Sequence, residues 1–124
     1  MEVLLKILCI TERSDPHVIE RVIASAGVEC SATIVNSLET LKALESKIGT
    51  FDAILVEEMK DGDAVSSGMM GYLVSLGIRK SNKPVIANSG SRDLNRYLLQ
   101  NGCNRVTPQK DAFQFLPWNR RRRW

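Results

Sequence analysis

Residues 51–58 read FDAILVEE. The apolar run from Ala53 to Val56 is too short for a buried helix and shows no polar alternation. A short, continuous apolar segment bounded by charge and turn signals is the pattern of a strand covered on both faces, as in a parallel sheet. It ends abruptly in Glu57 and Glu58, and residues 57–68, with Asp61 and Asp63, read as a loop. Two segments of the same kind flank it. VLLKILCI (residues 3–10) is broken only by Lys6, and PVIA (residues 84–87) is a short fourth strand. CSATIV (residues 30–35) reads as the second strand, and residues 105–107 as a weak fifth.

Helical periodicity fills the gaps. Val18, Ile19, Val22, Ile23 and Ala26 follow Pro16, with Asp15 as N-cap and Gly27 as the stop. Asn36 and Glu39 form a capping pair for a helix that places Leu41, Leu44 and Ile48 on one face and ends at Gly49. Met70, Leu73, Val74 and Gly77 mark a third helix, and Leu94, Tyr97 and Leu98 a fourth, over residues 92–101. Residues 111–116 begin a fifth that Pro117 cuts short. The order βαβαβαβαβ implies an α/β domain, a five-stranded parallel sheet with helices on both faces. The domain spans residues 1–116, and residues 117–124 (PWNRRRRW) form a basic aromatic tail.

Composition narrows the function. A chain of 124 residues is one domain, able to bury roughly 65% of its unfolded surface. With 44% hydrophobic and 25% charged residues, it is not disordered. No apolar run reaches the ~18 residues of a membrane span, and the acidic start does not suit a secretion signal, so a cytoplasmic protein is expected. Cys9, Cys30 and Cys103 form no CxxC, and His17 is the single histidine, which leaves neither a disulfide framework nor a Cys/His zinc site. The cysteines read as small buried hydrophobes, and His17 as a solvated residue at a helix start. The net charge of +3 comes from Arg120, Arg121, Arg122 and Arg123; without them 13 basic residues face 14 acidic ones, a balance of −1. That neutrality argues against a nucleic-acid-binding body, although the arginines and Trp118 and Trp124 could contact phosphates and stack on bases.

In an open parallel sheet, ligands bind beyond the carboxyl ends of the strands. Those ends deliver Thr11 and Glu12, then Glu57 and Glu58, then Asn88 and Ser89, and finally Thr107, Pro108, Gln109 and Lys110. No GxGxxG, P-loop or GxSxG motif is present.

Four segments resemble the receiver domain of two-component response regulators. KILCITE (6–12) resembles its first strand and acidic pair, and FDAILVEE (51–58) the strand that runs into the phospho-accepting aspartate. PVIANS (84–89) resembles the strand ending in a Ser/Thr, and NGCNRVTPQ (101–109) is a looser match to the fifth strand. The resemblance covers residues 6–109 and implies a doubly wound sheet in the order 2-1-3-4-5. Its departures fall on the chemistry. Glu57 stands at the acceptor position, Thr11 and Glu12 at the acidic pair, and Val106 at the aromatic switch position. Ser89 keeps the hydroxyl, and the lysine position falls on Gln109, or on Lys110 after a one-residue slip.

The resemblance therefore implies an atypical, non-enzymatic receiver that binds other proteins in a phosphorelay. Its partners would be a sensor kinase, another receiver or an output domain, and a homodimer stays open. The interaction surface would include Arg92, Tyr97, Val106 and Phe113. No cofactor is expected; Glu12 and Glu57 are the only candidate ligands for Mg²⁺. Glu57 is either a fixed negative charge imitating part of a phosphorylated state, or a residue tolerated in a disused site or paired with Lys110 or a nearby cation. The rival readings are a receiver phosphorylated on Glu58 or Asp61, and a nucleic-acid-binding protein acting through the four arginines.

Overall fold

The first strand, β1 (Leu5–Ile10), shows what the buried runs do: its last four residues are fully buried. In the computed structural model, which describes residues 4–12, 14–25, 27, 29–57, 63–89 and 91–106, it lies near the middle of a five-stranded sheet. The other strands are β2 (Cys30–Val35), β3 (Ala53–Glu57), β4 (Val85–Asn88) and β5 (Arg105–Val106). All pairings are parallel, in the order β2-β1-β3-β4-β5. The division at residue 116, the start of a fifth helix and the basic tail lie outside the described residues.

Alternation along the central strands creates two apolar layers. Leu8, Ile10, Ile54, Val56, Val85 and Ala87 face one way, toward α2 (Leu38–Lys42), α3 (Asp63–Ser75) and α4 (Arg92–Gln100). Ile7, Cys9, Ala53, Leu55 and Ile86 face the other way, where α1 (Pro16–Ser25) contributes Ile19 and Ile23.

Helix α1 starts as expected, with Asp15 Oδ1 accepting from the His17 amide at 2.9 Å. Its Glu20 carboxylate accepts the Ala32 amide of edge strand β2 at 2.8 Å and holds His17 Nδ1 at 2.8 Å. One outward-facing group of the sheet edge is thereby satisfied by the helix.

Three expectations need correction. The capping box of α2 is Ser37 with Thr40 rather than Asn36 with Glu39: the Thr40 amide donates to Ser37 Oγ at 3.1 Å, and the Ser37 amide to Thr40 Oγ1 at 3.2 Å. The helix starts one residue later, which moves its third position onto a hydroxyl that reaches back equally well. Second, α2 ends at Lys42, and Ile48 is brought into the core by a 3-10 segment, Glu45–Thr50. Lys83 donates to the Gly49 and Phe51 carbonyls left over at its end. Third, the backbone is already helical from Asp63, within the stretch read as loop. Ser66, Ser67 and Gly68 are weak helix formers, so the sequence there carries no helical signal.

Two asparagine carboxamides stand in for strand at the ends of β4. Before it, Asn104 Oδ1 accepts the Val85 amide at 2.9 Å and Nδ2 donates to Lys83 O at 2.7 Å. After it, Asn95 Oδ1 accepts the Ser89 amide at 3.1 Å and Nδ2 donates to Ser89 O at 2.9 Å. Gly102, at φ 132°, turns the chain from α4 toward β5, and a Cβ there would lie 2.8 Å from Met70 Cε.

Candidate functional site

The carboxyl ends of β1, β3 and β4 are neighbours because the order β1-β3-β4 makes them so. Ile10 pairs with Val56, and Glu57 with Asn88. Thr11 follows β1 directly, and its amide donates to Val35 O at 3.1 Å, carrying the β1–β2 ladder one residue further. Cys9, Thr11 and Glu57 share the face of the sheet that α1 covers, by strict alternation from Ile7 and Leu55.

Two residues of the expected site meet here. Thr11 Oγ1 donates to Glu57 Oε1 at 2.8 Å, and both residues are buried, at 2% and 6% exposure. Asn88 and Ser89 are buried beside them. Asn88 Oδ1 has no hydrogen-bond partner, the only such buried side-chain atom among the described residues. Glu12 follows Thr11 and is exposed. Ser89 Oγ accepts the Ser91 amide at 3.0 Å. Thus Thr11, Glu57 and Ser89 lie at one mouth of the sheet with Glu12 at its rim. Gln109, Lys110, Glu58, Asp61, Phe113 and the arginines from Arg120 to Arg123 lie outside the described residues.

Below this mouth, burial pushes the Cys9 thiol far up, and the neighbouring Glu57 adds to the effect. Burial also raises Cys103 to about 12 and Cys30 to about 11. None of the three is a poised nucleophile.

The oxygen donors suit Mg²⁺ poorly. The ion prefers an octahedron with carboxylates and water. Thr11 supplies a neutral hydroxyl whose proton is committed to Glu57, and no group of three or more His, Cys, Asp or Glu side chains gathers among the described residues.

On the expected interaction face, Arg92 is exposed on the first turn of α4, and Val106 is 40% exposed on β5. Tyr97 is half-buried against the core.

No family model and no curated protein matches this sequence. Solved structures do. A putative pilus assembly-related protein from Burkholderia pseudomallei is 14% identical, with 97% of this chain and 88% of that one covered at a TM-score of 0.68. The signal receiver domain of a putative LuxO repressor protein from Vibrio parahaemolyticus is 12% identical, with 98% and 86% covered at 0.59. This chain has the receiver fold. A response regulator in red light signalling of R. palustris agrees, at 16% identity, 84% and 80% coverage and a TM-score of 0.57. At such identities the likeness is one of architecture. What the receiver fold adds is position: Glu57 ends the third strand, at the mouth where the sheet order brings β1, β3 and β4 together.

The strand ends and the receiver resemblance together placed Thr11, Glu12, Glu57 and Ser89 near one another. Sequence reasoning missed Asn95. The available signal was an asparagine within a helix, a place it disfavours unless its side chain has another partner.

Proposed function

We propose that this chain is an atypical receiver domain that serves as a protein-interaction module in two-component or phosphorelay signalling and takes no phosphoryl group at residue 57. The observation that carries this reading is the buried hydrogen bond from Thr11 Oγ1 to Glu57 Oε1. It ties up one carboxyl oxygen with the residue that stands where a metal-binding acid is expected. The glutamate's extra methylene displaces its carboxyl group by about 1 Å, a misplacement able to cost about 10²-fold in rate. Phosphoryl transfer depends on in-line geometry and on Mg²⁺ to neutralise charge, and both are compromised by the same two substitutions.

The module would act in the cytoplasm, with a sensor kinase, another receiver or an output domain as partner. Among the described residues no helix is long and apolar enough to cross a membrane. The binding surface would include Arg92, Tyr97 and Val106, with Phe113 beyond them in sequence.

Incubating the protein with Mg²⁺ and acetyl phosphate and measuring intact mass tests the proposal. No phosphoryl adduct is expected. An adduct that disappears in Glu58→Gln or Asp61→Asn would show a working acceptor next to the expected one and overturn the reading.

A further inference from the structure

The junction between β4 and α4 is closed by a ring of hydrogen bonds. The Asn95 carboxamide takes both backbone groups of Ser89, accepting from its N–H at 3.1 Å and donating to its carbonyl at 2.9 Å. This pairing leaves one consistent orientation for the amide. Ser89 Oγ accepts the Ser91 amide at 3.0 Å, and Ser91 Oγ caps α4 by accepting the Leu94 amide at 3.2 Å. The Asn95 backbone N–H donates to Ser91 O at 3.0 Å, which completes the cycle.

We propose that Asn95 is a positioning residue that latches the β4–α4 junction in one state, so that α4 presents its exposed face to partners in a single, permanent pose. The inference rests on the interaction-module reading above and supplies its regulation: recognition at α4 is constitutive.

The physical case has three parts. Ser89 is 2% exposed, so its backbone groups have no water to replace lost partners, and breaking the clasp would leave both unsatisfied. Leu94 and Leu98, on the same helix, are buried in the core, so side-chain packing and the hydrogen-bond ring favour one placement of α4. Finally, the Ser89 hydroxyl is itself held by the Ser91 amide, so moving the Ser89 side chain together with its backbone would break that bond and the Asn95 clasp. A switch needs two arrangements of comparable free energy, and these bonds all favour the same one.

Native-state hydrogen exchange and relaxation dispersion on the ¹⁵N-labelled full chain test the latch. In the wild type, the Ser89, Ser91 and Leu94 amides should be protected and show flat dispersion. In Asn95→Ala, Ser89 and Ser91 should exchange at least about tenfold faster while Ala87, within β4, is unchanged. Asn95→Asp keeps the acceptor and loses the donor, and should fall between; it carries the test if the alanine variant does not fold. Ser91→Ala should speed Leu94 but leave Ser89 protected. A second state in the wild type, or Ser89 exchange unchanged in both Asn95 variants, would overturn the latch. A phosphoryl adduct with Ser89 protection intact would instead overturn the functional reading and leave the latch standing.

Discussion

At residue scale, the Thr11–Glu57 pair links the ends of β1 and β3 through a single buried hydrogen bond. The Thr11 hydroxyl at the end of β1 and the Glu57 carboxylate at the end of β3 meet at 2.8 Å inside the protein. Thr11→Val keeps the shape, removes the donor and leaves a buried carboxyl oxygen without this bond, so unfolding in urea should show a loss of about 1–3 kcal/mol. The cysteines give a second test at this scale. A thiol at about 11, such as Cys30, is thiolate to about one part in a thousand at pH 8, and Cys103, at about 12, to a tenth of that. Iodoacetamide at pH 8 should therefore label the folded protein far more slowly than the urea-unfolded chain, as read by intact mass.

At element scale, edges and ends are where side chains replace missing backbone partners. The Asn104 and Asn95 carboxamides extend β4 at both ends, and Glu20 satisfies one outward amide of β2. The Glu20 carboxyl is held below its usual range, chiefly by the Ala32 amide and then by the hydrogen bond from His17. A carboxyl whose folded-state value is depressed adds stability above its unfolded value and loses it as pH falls through the folded one. The wild type should thus exceed Glu20→Ala by about 1 kcal/mol at pH 6, and thermal melts of the two should converge as the pH is lowered toward 3. The sequence foretold β1, β3 and β4 most clearly because double burial writes continuous apolar runs. It did not foretell the start of α3, the 3-10 segment before β3 or the cap of α2. Those depend on which of several local hydrogen bonds survives packing.

For the whole molecule, one sheet serves two apolar layers, so neither can be lost alone. Ile54 and Leu55 are adjacent in β3, fully buried, and belong to opposite layers. Ile54→Ala and Leu55→Ala should each lower stability by about 2–5 kcal/mol. Circular dichroism and methyl NMR signals from the two layers should still follow one coincident transition in both variants. A variant in which one probe melts first would show that the layers are separable. The same sheet sets the geometry of the candidate site, because three of its strands end together where Thr11, Glu57, Asn88 and Ser89 collect.

The sequence by itself determined the alternation of strand and helix, the parallel sheet and the residues at its carboxyl mouth. Periodicity and apolar run length are local properties, and right-handed crossovers leave few arrangements of such a pattern. The tertiary structure decided the hydrogen bond between Thr11 and Glu57, residues 46 positions apart, and the clasp of Asn95 on Ser89. Such partnerships depend on distances set only when strands and helices pack, and a polar side chain in the sequence does not specify which buried group it will satisfy.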